Sequence, residues 1–217
     1  MASLAPPSLD NAGMSDQPAT PPEFDLALAE AGAWVGSGPE GIGESAVAPV
    51  TEDPLDVEGE DPAGALRQTL GMFATGVTVI TTGSEDQVHG MTANAFMSVS
   101  MEPPLVLISI ARGTKMCDLL HEGGHFAVNV LAADQRELSD RFAGRAGPDA
   151  PQPSFMIVNE TPLVEGSAAH FVARVARSYW GGDHSLFLGQ VEYARRTEGA
   201  EPLLFHGGQY GSLTAGA

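Results

Sequence analysis

The 217-residue chain is expected to be a mainly β protein, an antiparallel barrel or sandwich carrying a few flanking helices. Three observations lead there. Several short stretches after residue 77 are rich in β-branched and aliphatic residues, glycine-rich turns separate them, and the two or three helical stretches do not alternate with them. A βαβ layout is therefore disfavoured.

The charge is divided unevenly. The formal net charge is −18, yet no Lys or Arg precedes Arg67; residues 1–66 hold 13 of the 28 acidic groups and 9 of the 16 prolines. Such a segment buries too little apolar surface to offset its ordering entropy, so residues 1–60 read as an acidic, Pro- and Gly-rich disordered arm, with a folded domain at 61–217. Within the arm, Phe24, Ala27, Leu28, Ala31 and Val35 recur at helical spacing and suit a transient amphipathic helix.

The domain's elements follow in order. Asp61 is a good N-cap and Pro62 suits the first helical turn, with Leu66, Leu70 and Phe73 as an apolar stripe ending at Gly76. Residues 77–82 are β-branched throughout and lead to the turn Gly83-Ser84-Glu85-Asp86. Pro103-Pro104 introduces a buried strand at 105–110, and residues 114–121 read as a short helix stopped by Gly123-Gly124. Residues 125–131 are strand-like, and 134–142 form a helix with Asp134 as N-cap and Glu137 completing a capping box. A Pro- and Gly-rich connection spans 144–153. Strands at 169–179 and 185–193 flank Trp180-Gly181-Gly182-Asp183-His184, and 203–206 is a last short segment.

Composition excludes several classes. A lone Cys117 makes no internal disulfide and no Cys-based metal centre, and a reducing cytoplasm is the expected compartment. No apolar run approaches the roughly 20 residues that span a bilayer, and no basic excess invites nucleic acid. Gly36-Ser37-Gly38-Pro39-Glu40-Gly41 matches a dinucleotide loop but lacks the strand before it and the helix after it. His121-Glu122-Gly123-Gly124-His125 matches a zinc-protease signature, but paired glycines end a helix rather than carry both imidazoles on one face, so no metal is expected.

Three pieces carry chemistry. Residues 89–100 (His-Gly-Met-Thr-Ala-Asn-Ala-Phe-Met-Ser-Val-Ser) combine small side chains, hydroxyls and one amide with almost no charge. That suits a flat neutral ring lying along exposed backbone, and it equally suits a plain edge strand. Arg112-Gly113-Thr114-Lys115-Met116 opens a helix and offers an anion site, or a solvated loop. Gly182-Asp183-His184 offers an orienting Asp–His pair, or a hairpin turn with an Asx hydrogen bond.

Together with Thr75-Gly76-Val77-Thr78-Val79-Ile80, Pro103-Pro104-Leu105-Val106, Phe126-Ala127-Val128-Asn129-Val130 and residues 135–142, these pieces resemble the short-chain flavin reductases, over about 66–213. These are the reductase components of two-component flavin-dependent monooxygenases such as the phenol and 4-hydroxyphenylacetate hydroxylases. The resemblance implies an FMN-binding split β-barrel and a homodimer. It also implies hydride transfer from NADH or NADPH to FMN or FAD, with reduced flavin passed to an oxygenase component. By similarity Thr92, Ala93, Asn94, Ala95, Phe96, Ser98 and Val99 line the flavin, Lys115 and Met116 meet its phosphate side, and Phe142 and Tyr210 lie near the ring. Asp183 and His184 belong to the nicotinamide side. A 2′-phosphate would need a cation, for which Arg112, Arg174 and Arg177 are candidates. A ferric reductase, a pyridoxamine-phosphate-oxidase-like activity, or a non-catalytic flavin binder are the alternatives on the same barrel.

Overall fold

Branched side chains after Thr75 build the first hairpin: β1 is Thr75–Gly76, β2 Thr78–Ser84 and β3 Gln87–Ala93, with Thr78 opposite Ala93 and Ser84 opposite Gln87. The structure is a computed structural model that describes residues 55–57, 61–84, 87–147 and 150–213. The acidic arm, including the helically spaced residues 24–35 and the glycine match at 36–41, lies outside the described residues, as do Glu85 and Asp86.

The remaining strands are β4 Phe96–Met101, β5 Pro104–Ala111, β6 His125–Val130, β7 Phe155–Val158, β8 Thr161–Val164, β9 Ala169–Gly181, β10 His184–Arg196, β11 Leu204–His206 and β12 Gln209–Gly211. Among the described residues three helices accompany them: α1 Pro62–Gly71, α2 Lys115–Gly123 and α3 Arg136–Phe142. All strand pairs are antiparallel, and seven strands form one sheet in the order β3-β2-β6-β9-β10-β5-β4.

That order dictates a barrel. Laid flat, seven strands about 4.8 Å apart would hold the outer two roughly 29 Å from each other. Yet β3 and β4 are those outer strands, and only Asn94 and Ala95 join them, a link that reaches about 11 Å at most. The sheet must therefore curl until its edges meet at this link, where Ser109 of β5 donates its backbone N–H to Ala95 at 3.1 Å. The expected split β-barrel is the observed one.

Inside the barrel, Ile80, Val106, Ile108, Ile110, Phe126, Val128 and Phe187 are fully or nearly fully buried, and α2 closes one end by inserting Met116, Cys117 and Leu120. Each such side chain contributes about 1.5–3 kcal/mol of transfer free energy. A second cluster of Val77, Val79, Leu131, Val164 and Leu203 lies under α3 and the β11–β12 hairpin.

The β7–β8 hairpin does not follow from residue pattern. Its turn is Asn159-Glu160, both with positive φ (48° and 60°), where the usual sequence has glycine second. What fixes it is buried polar pairing. Asn129, fully buried, donates to Val79 at 2.8 Å and accepts from the Val164 N–H at 2.8 Å, and Thr81 donates to the Pro162 carbonyl. Satisfied buried pairs of this kind fix one docking position, because any shift would strand a buried donor.

Other expectations need correction. α1 is capped by Asp61, whose carboxylate accepts from Gly64 at 3.0 Å, but it ends at Gly71, a turn early, because Thr75–Gly76 is drawn into pairing with β11. Its stripe is not buried: Leu70 is 65% and Phe73 78% exposed. Asp134 does not cap α3. Gln135 occupies the cap, and its side chain accepts from Ala132 at 3.0 Å and donates to Glu165 at 2.8 Å, so the capping box does not form. β9 continues through Trp180 and Gly181, leaving Gly182 (φ +73°) and Asp183 as the whole turn.

Candidate active site

The three chemical pieces, far apart in sequence, converge at one end of the barrel through β5. Ser109 holds Ala95 of the β3–β4 link, and two residues further along, roughly 7 Å, Ala111 pairs with His184. The next residue, Arg112, donates its backbone N–H to the Asp183 carbonyl at 3.0 Å, and Thr114 caps α2 by accepting from Cys117 at 3.3 Å. Lys115, the first residue of α2, is exposed and close enough to His89 of β3 to lower the imidazole's pKa; burial is the larger cause.

Residues 92–99 form the two barrel edges and their link. Asn94, Ala95, Ser98 and Val99 are exposed, while Thr92, Ala93 and Phe96 are half-buried. A bulge at Val99, between Ser98 paired to Val106 and Ser100 paired to Leu105, re-aims the exposed backbone of β4. Ala93 accepts from Thr78 Oγ1 at 2.6 Å, and Phe96 packs on Phe171 at 5.5 Å. Thr92 spends its hydroxyl on the Ser139 carbonyl of α3 at 2.7 Å, so it anchors α3 to β3 and does not present a free hydroxyl.

That anchoring sets Phe142. Its ring lies against Gly90, where a Cβ would come within 2.5 Å of it, and the two residues line an open cleft with Arg141, Gly144, Ala146 and Gly147. Arg141 is steered by donation to the Ala150 carbonyl at 3.3 Å and to Gln152 Oε1 at 2.7 Å.

On the turn, His184 Nδ1 stands 2.7 Å from Asp183 Oδ1, and this hydrogen bond, with the imidazole's charge second, draws the Asp183 pKa below the ordinary value. The carboxylate is almost wholly exposed, so the pair orients the imidazole and adds little stability.

The structure separates some expected site residues. Met116 is fully buried beneath α2 in the barrel core, which leaves only its backbone to face a ligand. Tyr210 lies at the α3 corner, its hydroxyl 2.9 Å from Ser139 Oγ and 3.0 Å from Asp140 Oδ1. Arg174 is committed to Glu192 at 3.1 Å and Gln190 at 3.0 Å, and Arg177 pairs with Leu188 in the hairpin. Sequence reading missed Arg136 and Arg145, which flank Tyr210; their recurrence around Asp140 was the available signal. The zinc-protease match is broken: α2 ends at Gly123, Gly124 is left-handed (φ +67°), and His125 opens β6, 3.3 Å from Glu192.

The residues present fit a flavin: small side chains at 93 and 95, exposed edge backbone at 98–99, an aromatic wall at Phe142 and a cation at Lys115. Among the described residues no helix is long and apolar enough to cross a membrane.

Comparison with known proteins matches residues 70–214 to the flavin reductase like domain. An NADH-dependent flavin reductase of a Rhodococcus species is 43% identical over 168 residues, 76% of this chain and 94% of that one. The reductase component of 4-hydroxyphenylacetate 3-monooxygenase from Thermus thermophilus is 37% identical over 141 residues, 65% of this chain and 90% of that one. Among solved structures, the Streptomyces globisporus NADH:FAD oxidoreductase SgcE6 in complex with NAD and FAD fragments superposes with a TM-score of 0.67 at 38% identity, covering 73% of this chain and 98% of that one.

Proposed function

The chain belongs to the flavin reductase family, and we infer from this that it is an NAD(P)H:flavin oxidoreductase that passes a hydride from NADH or NADPH to FMN or FAD and supplies reduced flavin to an oxygenase component. The observation that carries the reading is the convergence on β5 of the link at 94–95, the start of α2 and the turn at 182–184, within a match that spans residues 70–214.

Bound flavin supplies the electron-accepting ring. The chain's own contribution is placement: edge backbone of β3 and β4 receives the ring, Phe142 walls it, and Lys115 offsets phosphate charge. Asp183 orients His184 toward the nicotinamide side, where the imidazole positions the reductant without acting as an essential proton donor. No acid–base residue is required for hydride transfer between stacked rings.

Further parts of the reading are a homodimer and a cytoplasmic location. The outer face of β5 and β10 supports the dimer. Val106, Ile108, Ser185 and Phe187 face the core, so the alternate Leu105, Leu107, Leu186 and Leu188 make a second apolar face, beside Met97, which is 55% exposed. Sedimentation should give twice the chain mass.

Mixing purified protein with NADH and free FMN or FAD under nitrogen tests the activity. Many NADH oxidised per protein support it. Bound yellow flavin without turnover would make the protein a flavin binder instead.

A further inference from the structure

The cleft between α3 and the β11–β12 hairpin holds charges that hydride transfer leaves unused. Arg136, Asp140, Arg145, Phe205, Gln209 and Tyr210 line it. Tyr210 arrays the two cations on one rim: its hydroxyl accepts from Arg145 Nη2 at 2.9 Å, and the Arg136 guanidinium lies 5.1 Å over its ring. Asp140 accepts from Arg145 Nε at 3.2 Å and stands 3.9 Å from Arg136 Nε.

With both Nε atoms turned toward that carboxylate, the Nη atoms of Arg136 and Nη1 of Arg145 have no acceptor among the described residues. The side chains are 67% and 58% exposed, so these donors face open space. Two guanidiniums sharing one carboxylate leave a surplus of one positive charge, in a chain whose net charge is −18. The rim stays open at Gly208 (φ +80°), where a Cβ would meet nothing within 4 Å. The cleft is also tied to the flavin-facing strip: Thr92 donates to the Ser139 carbonyl, and Ser139 Oγ meets the Tyr210 hydroxyl.

We propose that this cleft binds a phosphate of the nicotinamide dinucleotide, clamped between Arg136 and Arg145; this rests on the reductase reading. Guanidinium donors match phosphate oxygens in pairs, which a flexible ammonium does not. Lys115, the first residue of α2, is assigned to the flavin phosphate in that reading, which leaves the Arg136–Arg145 clamp for the reductant. The phosphate is either the dinucleotide's pyrophosphate or the 2′-phosphate of NADPH.

Calorimetric titration of the full chain with adenosine, ADP and adenosine 2′-monophosphate separates these, without needing turnover. One of the two phosphorylated probes should bind at least about tenfold tighter than adenosine, and Arg136→Ala and Arg145→Ala should each abolish most of that preference, because a charged hydrogen bond is worth that much. Preference for ADP assigns the pyrophosphate, and preference for the 2′-monophosphate assigns NADPH. Arg145→Lys should recover only part of it. Equal binding of all three probes, or a preference that survives both alanine variants, overturns the proposal. Failure of the reductase reading would show separately, as absent NADH oxidation by the unmodified chain.

Discussion

Strands β5 and β10 each pair on both sides within the sheet, whereas β3 and β4 are its two outer strands. Between β5 and β10 the register runs unbroken from His184 opposite Ala111 to Gln190 opposite Leu105. On β4 it breaks at Val99, and beyond β3 it stops at Asn94. One glycine in each pair shows what this means. Gly189 of β10 is enclosed, and a Cβ there would lie 2.5 Å from Phe126 and 2.9 Å from Ala173; Gly90 of β3 meets only the Phe142 ring beside an open cleft. The same missing side chain serves packing in the middle of the sheet and ligand access at its edge.

Gly189→Ala should therefore have the largest effect on stability, about 1–3 kcal/mol from overpacking. At roughly 2–4 °C per kcal/mol the melting temperature should drop by several degrees, while flavin affinity of the folded protein stays normal. Gly90→Ala should invert the pattern. Its Cβ displaces the Phe142 ring, so flavin affinity should weaken about tenfold in fluorescence titration, with melting shifted by less than in Gly189→Ala. If the two variants behaved alike, the distinction between middle and edge would be lost.

A smaller effect concerns His89, at the edge beside Lys115. Burial, and secondly Lys115, lower its pKa from the ordinary 6.5, so the folded protein disfavours the imidazolium. This group's contribution to stability is then complete above about pH 6.5 and is lost as pH falls through the folded-state value. NMR titration should place the His89 midpoint below 6.5 and Lys115→Met should raise it only partly, since burial persists. His89→Gln should flatten the corresponding part of the melting profile. The smallest change should follow deletion of residues 1–60: turnover within about twofold of the full chain, because the family match begins at residue 70.

Much of the barrel was legible because its signals are local. The β-branched run at 77–82, the Asp61 cap and the glycines that end α2 each act within a few residues, and each is present. What escaped depends on distant partners. The β7–β8 hairpin turns on Asn159-Glu160 without glycine and is held by Asn129, some thirty residues away. Asp134 looked like a cap, but Gln135 was recruited by Ala132 and Glu165. The hydroxyls of Thr92 and Tyr210 are engaged with α3, a pairing that spacing cannot reveal. The convergence of the link at 94–95 with His184 was likewise invisible in sequence, because it arises from the register of β10 on β5.

The most direct test is the division of labour between edge and turn, measured on His184→Ala by steady-state NADH kinetics beside flavin titration. An NADH KM raised about tenfold, with the flavin dissociation constant within about twofold of the unmodified chain, is expected of a residue that only positions the nicotinamide. Equal losses in both, or an unchanged KM, would contradict it.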